Sequence, residues 1–571
     1  MPQITIDNQT FEFEGKPKLL QFCLDHGVEL PHFCYHPSMS IPANCRQCLV
    51  EIGSPVRDRD SGEVQVDEDG KPVIQFFPKL MTSCSVDVTD GMVVRTNRTS
   101  EVVDRAQKDN LEFLLINHPL DCPICDQAGH CPLQIQTYKY GPEGSRFEFQ
   151  KQHKPKAVVL GPRVMLDAER CINCTRCTRF TEEVSGSNQL TIIERGVKNY
   201  PMTPPNTEFD DPYSMNVIDL CPVGALTSVD FRFRARIWEM TSTPSIIATN
   251  ARGSNCDYWV RDNLVLRITP RQNLDVNEYW LADEDRLTYK AFNEGRASGP
   301  RVQASSTEWD AAYDRAAELL REGGSETFFL GSAHAPVEDN YLLKKLAEAV
   351  GADTPTYIPH IEPGTGDDWL ITDDKTPNAQ GCERLGIMPV DETTFRSRLQ
   401  DGSIKVLYIL EDDPVASGLC TAEDLAGVRV ILHPHHETNQ TIQAADVVLP
   451  ATMVVETIGT YVNIDGRAQQ VRPAKAIRAI NRTLMMAMSK SRQDRHGTPF
   501  DRWHNEENKV DCFPGWVSIP AIAERLGHEL AYKGPKQIMA EIAETNEAFR
   551  GATYEAMGLA GIPLEDVGEA V

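Results

Sequence analysis

Eleven of the sixteen cysteines lie between positions 34 and 221, in three groups whose short spacings are typical of metal centres. Thiolates are the ligands of iron–sulfur clusters, and four ligands complete either common cluster type. The sequence therefore predicts three iron–sulfur centres along one chain, which would make the protein an electron carrier. The predicted ligands, group by group, are Cys34, Cys45, Cys48 and Cys84; His118, Cys122, Cys125 and Cys131; and Cys171, Cys174, Cys177 and Cys221.

Disulfide bonds are the alternative use of so many cysteines, but they are typical of small secreted chains. This chain has 571 residues, and residues 1–20 lack the basic segment followed by an apolar segment that marks a secretory signal. We therefore expect metal ligation rather than disulfides.

The elements around the first cysteine group come in a familiar order. Residues 3–13 alternate apolar and polar side chains around Asp7-Asn8, which predicts a β-hairpin, and residues 17–26 have the apolar spacing of a helix. The cysteine loop follows, and its fourth sulfur comes after the strand-like residues 73–77. This is the order of the ferredoxin-type β-grasp fold, so we expect a [2Fe–2S] cluster here. A structural zinc site, which also accepts four cysteines, is the alternative.

The second group has only three cysteines, so another residue must supply its fourth ligand. Residues 99–116 predict a helix capped by Thr99 or Ser100, and this helix delivers His118 to the group. Imidazole can replace thiolate at an iron–sulfur cluster and raises its potential, as in Rieske centres. His118 is the expected ligand and His130 is its competitor, while zinc held by three cysteines and one histidine is the alternative metal.

The third group carries the most specific motif. Its C-x2-C-x2-C spacing, closed by the remote pair Cys221-Pro222, is the bacterial ferredoxin pattern for a [4Fe–4S] cluster. Thr181 and Glu182 stand where a two-cluster ferredoxin has a further Cys-Pro, so we expect a single cluster in this segment. Three arginines flank the motif and either offset the charge of the sulfurs or are simply solvated: Arg170, Arg176 and Arg179.

Composition and charge exclude several other functions. Hydrophobic residues make up 41% and charged residues 25% of the chain, as in ordinary globular proteins. A formal net charge of -26 would repel the phosphates of nucleic acid, so no nucleic-acid partner is expected. No apolar run approaches the roughly 20 residues of a membrane helix, so membrane contact is expected only through partner subunits.

The character of the sequence changes near residue 300, where helices and short apolar strands alternate. Helices are predicted at 308–323 and 338–351, and alternation of this kind indicates a doubly wound parallel sheet. The strand candidates are residues 327–331, 405–410, 428–432 and 446–450. The predicted class is multidomain α/β, with a [2Fe–2S] β-grasp domain at 1–97, a His/Cys3 cluster domain at 98–150, a ferredoxin-type domain at 151–240 and a doubly wound domain at 241–571.

Three stretches carry a more specific resemblance: 34–48 (CYHPSMSIPANCRQC), 118–131 (HPLDCPICDQAGHC) and 171–177 (CINCTRC), the last completed by CPVGAL at 221–226. Over residues 1–230 the chain resembles the large iron–sulfur subunit, known as the G subunit, of NADH:quinone oxidoreductase, respiratory complex I. The resemblance implies one [2Fe–2S] cluster and two [4Fe–4S] clusters, with His118 rather than His130 as a ligand of the second cluster.

The same resemblance implies partners and a location. Electrons would arrive from the flavin-bearing, NADH-binding subunit and leave toward the iron–sulfur subunits on the quinone side, in a proton-translocating enzyme. The protein would lie peripherally on the cytoplasmic side of the bacterial inner membrane. We find no G-x-G-x-x-G or P-loop motif, so no catalytic residues are expected on this chain, and NAD and flavin would bind to a partner.

The C-terminal half resembles a molybdopterin-oxidoreductase domain at 445–470, which complex I carries in a catalytically dead form. Active relatives ligate molybdenum through a cysteine or selenocysteine after the helix at 338–351, but residues 352–364 contain no cysteine, so no molybdenum is expected. An extra cluster found near 231–256 in some relatives should also be absent, because only Cys256 lies there. Gly459 and Gly466 are expected to bracket a turn, which fits tight loop geometry as well as the close approach of a ligand. Cys23, Cys382 and Cys420 are expected to be lone buried thiols, and residues 489–511 to form a surface loop.

Two other functions remain open. A molybdenum formate dehydrogenase or an iron-only hydrogenase shares this N-terminal arrangement, but the first lacks its metal ligand here and the second lacks a further group of cysteines. The electron-feeding subunit of an NAD-linked hydrogenase resembles the first 230 residues but generally lacks a long C-terminal half.

Overall fold

The computed structural model describes residues 1–58, 61, 63–478 and 507–565. The chain separates into two compact units, Met1–Trp238 and Glu239–Val571. The division between them lies close to the start predicted for the C-terminal domain, at 241. The predicted division of the first unit at residues 97 and 150 stays a prediction. Within the described ranges, every helix is too short or too polar to span a bilayer.

The first unit opens with the expected hairpin. Asp7 and Asn8 have φ values of 47° and 71°, the left-handed backbone that a two-residue hairpin turn requires. The resulting sheet has the order β2-β1-β6-β3-β4, with β5 paired to β3, and β1 runs parallel to β6. Helix α1 (Leu19–Asp25) buries its apolar face, which confirms the β-grasp prediction. The strands are β1 Gln3–Ile6, β2 Gln9–Glu12, β3 Leu49–Pro55, β4 Ile74–Phe76, β5 Met81–Thr82 and β6 Met92–Arg95.

Short elements build the rest of the first unit. The Ser100 hydroxyl accepts a hydrogen bond from the Val103 backbone N–H, so Ser100 caps the helix that precedes the second cysteine group. Two small sheets, β11-β8-β7 and β10-β9, surround the third group. The elements are α2 Glu101–Leu115, α3 Pro132–Tyr140, β7 Val158–Val159, β8 Val164–Leu166, α4 Arg176–Arg179, β9 Thr191–Ile193, β10 Tyr200–Met202, α5 Asn216–Leu220 and β11 Leu226–Ser228.

The second unit begins with an antiparallel sheet that was not predicted from the sequence. Its strands are β12 (Thr241–Ile246), β13 (Asn255–Arg261) and β14 (Leu264–Pro270). Asp262 and Asn263 join the last two strands with φ values of 52° and 60°. This is the same Asp-Asn turn signal that identified the first hairpin, so the sequence contained the information.

The main sheet of the second unit has eight strands in the order β16-β15-β22-β21-β20-β17-β18-β19. The strands from β22 to β19 are mutually parallel and β15 is antiparallel to β22, which confirms the doubly wound prediction. The strands are β15 Arg301–Val302, β16 Ser305–Ser306, β17 Thr327–Gly331, β18 Thr356–Tyr357, β19 Met388–Pro389, β20 Val406–Leu410, β21 Arg429–His433 and β22 Val447–Val448.

Side chains of alternate residues in the central strands enter different cores. Phe329 and Tyr408 belong to the larger core, which includes residues of α7 and α8, whereas Leu330 and Leu407 belong to a smaller core with residues of α10. This division follows from the two-residue period of a strand. The helices of the unit are α6 Asp283–Leu287, α7 Trp309–Gly323, α8 Val337–Val350, α9 Ala379–Arg384, α10 Glu392–Gln400, α11 Gly515–Arg525, α12 Pro535–Thr545 and α13 Tyr554–Met557.

A third sheet of this unit corrects one expectation. It comprises β23 (Gly459–Val462), β24 (Arg467–Val471) and β25 (Ile562–Pro563). Gly466 lies in the turn with φ 73°, as expected, but Gly459 is the first residue of a strand. A Cβ atom at 459 would lie 2.4 Å from Cβ of Pro336, so close packing and not turn geometry requires this glycine. Of the loop predicted at 489–511, residues 489–506 lie outside the described residues.

Histidines collect at the carboxyl ends of the parallel strands. His334 follows β17, His433 ends β21 and His435 comes two residues later. Burial lowers the pKa of His433 to about 3 and those of His334 and His435 to about 4. The His433 ring is fully buried; its Nε2 bonds to the Tyr408 hydroxyl at 2.7 Å, and its Nδ1 has no partner among the described residues. These rings are therefore neutral in the folded state near neutral pH.

The second unit should consequently lose stability in mild acid. An unfolded histidine takes up a proton near its ordinary pKa of about 6.5, so stability is complete above that pH and falls as the pH drops toward 4. Each such group contributes a slope of about 1.4 kcal/mol per pH unit to the unfolding free energy. Urea unfolding between pH 7 and 5 can be followed by tryptophan fluorescence, since all seven tryptophans except Trp238 lie in this unit.

His433→Gln should reduce the slope of unfolding free energy against pH by about 1.4 kcal/mol per pH unit, the contribution of one proton. His528 is exposed, and His528→Gln should leave the slope unchanged. Equal slopes in the wild type and the His433 variant would contradict the assignment.

Candidate metal centres

The four cysteines of the first group form two pairs. A hydrogen bond joins the thiols of Cys34 and Cys45, and a second joins those of Cys48 and Cys84. All except Cys45 are buried. Cys45 lies on a loop that turns sharply on either side of it, because the nearby Ala43 and Arg46 have φ values of 49° and 55°. Two pairs of sulfurs fit a two-iron centre, in which each iron takes two thiolates.

The two thiols of each pair have pKa values shifted in opposite directions. The thiol of Cys34 donates to the sulfur of Cys45, which raises the pKa of Cys34 and lowers that of Cys45 to about 6. In the same way, the hydrogen bond between Cys84 and Cys48 raises the pKa of Cys84 and lowers that of Cys48. Backbone N–H groups of Gln47, Cys34 and Phe33 also hydrogen-bond to the Cys45 sulfur and lower its pKa. Iron binding would displace the remaining protons, since the thiolate is the ligand.

The second group follows the end of α2. Cys125 and Cys131 are buried and Cys122 is exposed, and the three act electrostatically on one another. Burial lowers the pKa of His118 to about 4, and its buried Nδ1 has no hydrogen-bond partner among the described residues. A neutral imidazole with a free ring nitrogen suits ligation. The nearby Asp121 carboxylate opposes the burial effect on the pKa of this ring. The assignment of His118 as a ligand of the second centre stays a prediction.

The third group surrounds one pocket. Its four cysteines line this pocket together with apolar side chains, among them Ile172 and Leu226. Asn173 and Thr175 have φ values of 56° and 61°, and these left-handed residues bend the chain between the closely spaced cysteines. The Asn173 backbone N–H donates to Sγ of Cys171 at 3.4 Å.

Burial dominates the chemistry of the third group. It raises the pKa values of Cys171, Cys174 and Cys221 to about 11, and that of Cys177 well above its usual value. Thiols in such a site keep their protons until a metal replaces them. Four sulfurs that line one apolar pocket fit a [4Fe–4S] cluster.

The zinc alternative requires donors that meet at one point. Within residues 1–58, 61, 63–478 and 507–565, no three His, Cys, Asp or Glu side chains lie close enough to hold one metal ion. An iron–sulfur cluster distributes its protein ligands over several irons and does not need that convergence. The pairwise arrangement of the first group and the pocket of the third group fit iron–sulfur clusters.

The second and third groups contact one another directly. Gly224, three residues after Cys221, approaches the second group so closely that a Cβ atom there would lie 2.2 Å from Sγ of Cys125. The Cys131 thiol donates to the carbonyl oxygen of Pro222 at 3.6 Å. Glycine at position 224 is thus explained by the neighbouring sulfur rather than by its own motif.

The three flanking arginines have different surroundings. Arg170 and Arg179 are only 3% and 7% exposed, so the second alternative, simple solvation, does not apply to them. Arg170 forms an ion pair with Asp121 at 2.7 Å, which joins the third group to the second. Arg176 and Arg179 reach the loop of the first group, where they donate to the carbonyl oxygens of Tyr35 and of Cys34 and Ser40, respectively.

The remaining cysteines show no comparable grouping. All sixteen cysteines lie in the described part of the chain and each is a free thiol. Cys23, Cys382 and Cys420 are buried, as expected, and burial raises the pKa of Cys23 to about 12. Cys256 is fully buried in β13, and the absence of an extra cluster around it stays a prediction.

The second unit has a separate polar cavity of about 320 Å³ at the carboxyl edge of its main sheet. Glu411 and His435 face each other there at 3.2 Å, and His360 bonds to Asp412 at 3.1 Å. Carboxylates and imidazoles dominate these contacts, and residues 352–364 contain no thiol. The residues that line this cavity therefore do not fit molybdenum held by a cysteine. The expected absence of molybdenum stays a prediction.

Comparison with family models supports the sequence of domains. Matches run along most of the chain and include cluster-binding families in both units and a molybdopterin family in the second. They are a 2Fe-2S iron-sulfur cluster binding domain at 2–99, the NADH-ubiquinone oxidoreductase-G iron-sulfur binding region at 107–146, the ferredoxin-like domain of NADH-quinone oxidoreductase subunit 3 at 161–227, an NDSU1/NuoG-like 4Fe-4S domain at 240–290 and molybdopterin oxidoreductase at 381–480.

Curated relatives extend the similarity. The G subunit of NADH-quinone oxidoreductase from Rickettsia felis is 30% identical over 548 residues, which cover 93% of this chain and 76% of that protein. The G subunit from Rickettsia bellii is 36% identical over 359 residues (62% of this chain, 49% of that protein), and subunit 3 from Thermus thermophilus is 38% identical over 370 residues (61% and 46%). The chain thus spans about half the length of several relatives.

Solved structures are also similar to this chain. A chain of an NAD+-reducing [NiFe]-hydrogenase in the H2-reduced state is 26% identical with a TM-score of 0.33, and the match covers 41% of this chain and 91% of that chain.

Replacement of the two candidate histidines should decide the fourth ligand of the second group. We expect His118→Ala to alter the paramagnetic resonance signal of one four-iron centre and leave the [2Fe–2S] signal intact, because imidazole at that centre sets its electronic environment. His130→Ala serves as the matched control. A signal that survives in the His118 variant but changes in the His130 variant would transfer the role to His130.

Gly224→Ala should disturb the second centre although the residue belongs to the third motif, because its Cβ would collide with Sγ of Cys125. We expect loss or broadening of the second centre's signal with little effect on the first. Gly144→Ala is the control, since a Cβ atom at 144 meets nothing within 4 Å. Unchanged spectra in both variants would rule out this close approach.

Proposed function

Since this chain belongs to the family of the NADH-quinone oxidoreductase G subunit, we propose that it is an electron-transfer subunit of NADH:quinone oxidoreductase. It passes electrons from a flavin-bearing, NADH-binding subunit toward the iron–sulfur subunits on the quinone side. The observation that carries this proposal is the assembly of three cysteine groups in one compact unit. Family matches in the same order support it.

Residues of the chain hold and tune the centres in this proposal. Cys34, Cys45, Cys48 and Cys84 hold a [2Fe–2S] cluster, while His118 with Cys122, Cys125 and Cys131, and Cys171 with Cys174, Cys177 and Cys221, each hold a [4Fe–4S] cluster. Bound clusters supply one-electron redox chemistry at potentials set by ligand type, burial and hydrogen bonds to sulfur. The apolar pocket of the third group keeps water away from its sulfurs.

The contacts between the groups support an order for the relay. Arg176, beside Cys177, reaches the carbonyl oxygen of Tyr35, beside Cys34. On the other side, Gly224 of the third motif lies against Cys125. In the proposed relay, the third centre therefore lies between the first and the second centres.

Partner subunits supply what this chain lacks in the proposal. NAD and flavin bind on the partner that delivers electrons, and this chain contributes no catalytic residue. The protein occupies the peripheral arm on the cytoplasmic side of a bacterial inner membrane, and partner subunits make the membrane contact. Assembly with complex I subunits is supported by the family, whose members in Rickettsia and Thermus belong to NADH-quinone oxidoreductase.

A molybdenum formate dehydrogenase is the second candidate, because a molybdopterin oxidoreductase family matches residues 381–480. It is less well supported, since no cysteine follows α8 in residues 352–364. Molybdenum in the pure protein, or formate-dependent dye reduction, would favour it.

Isolation of the tagged chain from its own membranes tests the proposal. We expect a flavin-containing subunit and quinone-side iron–sulfur subunits to co-purify, together with NADH:quinone reductase activity. Cys174→Ala should abolish that activity, because it removes a cluster ligand, whereas Cys420→Ala removes an equally buried thiol outside the three groups and should preserve it. Recovery of hydrogenase subunits, or activity that survives in the Cys174 variant, would contradict the proposal.

A further inference from the structure

Two arginines of helix α4 extend from the third cysteine motif to the loop of the first. The Arg176 guanidinium donates to the carbonyl oxygen of Tyr35 and, at 3.2 Å, to that of Leu220. Tyr35 follows Cys34 and Leu220 precedes Cys221, so this one side chain ties together residues adjacent to ligands of both groups. Two further bonds close the same junction, from Asn44 to the carbonyl oxygen of Asn173 and from the Ser40 backbone N–H to Glu183.

Arg179 makes the second connection. Its guanidinium donates to the carbonyl oxygens of Cys34 and Ser40 and to the hydroxyl of Thr175. These three acceptors are neutral, although the side chain is buried. The exposed carboxylate of Glu183 acts on it electrostatically, and so do the sulfurs of Cys34 and Cys174. One buried cation therefore lies within the electrostatic range of a sulfur from each group.

A buried cation with mainly neutral partners is costly unless negative charge lies nearby. Iron-bound thiolates carry such charge, since the metal ligand is the deprotonated form. Loaded centres at the first and third groups would add negative charge to that of Glu183 near Arg179. The same interaction would favour electron uptake, because reduction adds one negative charge to a centre.

Arg176 carries an additional unused donor. It lines the pocket formed by the four cysteines of the third group. Its Nε is buried and has no hydrogen-bond acceptor among the described residues, although both terminal nitrogens are bonded. A sulfur acceptor in a loaded pocket would satisfy this N–H, and hydrogen bonds to sulfur raise cluster potentials.

We propose that Arg176 and Arg179 are positioning residues that fix the first cysteine loop against the third motif and raise the reduction potentials of both centres. This inference rests on the proposed function, in that both centres hold iron–sulfur clusters. Neutral replacement of either arginine changes the charge beside two centres at once. The second centre should be least affected, because the hydrogen bonds of the two guanidinium groups end on Tyr35, Leu220, Cys34, Ser40 and Thr175.

The test is a potentiometric titration of the full-length, anaerobically purified protein, followed by paramagnetic resonance of each centre. We expect Arg179→Gln and Arg176→Gln to lower the potentials of the first and third centres. At a fixed poise the oxidised-to-reduced ratio should rise about tenfold, which corresponds to about 59 mV for a one-electron couple. Arg195→Gln is the matched control, because it removes the same charge from an exposed position between β9 and β10.

Lysine variants separate charge from hydrogen bonding. Arg179→Lys keeps the cation and should restore most of the potential, whereas Arg176→Lys lacks the Nε–H and should restore the third centre only in part. If the Arg179→Gln protein contains no clusters, the reduction potentials are compared in the Arg179→Lys and Arg176→Gln proteins instead.

Two failures are distinguishable in this experiment. Wild-type protein without cluster signals would refute the proposed function itself. Normal wild-type signals, with unchanged potentials in every arginine variant that retains both centres, would overturn only the role proposed for Arg176 and Arg179.

Discussion

Burial of sulfur is the constraint on which the first unit depends. Three of the four cysteines of the third group are buried, and burial raises the pKa of every thiol in that group. A buried thiolate is unstable without compensating positive charge, so these side chains are either protonated and inert or bound to metal. The surrounding backbone favours the second state, because left-handed residues such as Asn173 and Thr175 are held where they bring the sulfurs around one pocket.

The third motif organises the unit because it contacts both of the other groups. Arg176 and Arg179 hold the loop of the first group, while Arg170 and Gly224 meet residues of the second. These contacts join residues far apart in sequence, so each cysteine group depends on the others for its shape. Metal binding and folding are then coupled across the whole unit rather than within one loop. An electron relay needs this arrangement, because the separation of its centres must stay fixed.

Local signals in the sequence were sufficient for much of the fold. The Asp7-Asn8 turn, the helix cap and the alternation of strands and helices after residue 300 are determined by neighbours in the chain. The turn and the alternation agree with the prediction, and the cap is Ser100, one of the two residues that the sequence offered. Metal-ligand spacing is also local for C-x2-C pairs. Contacts between distant segments left no such signal. Burial of Arg179 and the packing reason for Gly459 depend on partners more than 100 residues away, so spacing alone could not reveal them.

The central claim is that the cysteine groups of the first unit bind iron, and metal analysis combined with low-temperature paramagnetic resonance tests it most directly. Anaerobically purified protein should contain about ten irons, from one two-iron and two four-iron centres, and show three distinct signals on reduction. Colourless protein without iron, or protein that contains only zinc, would contradict the account.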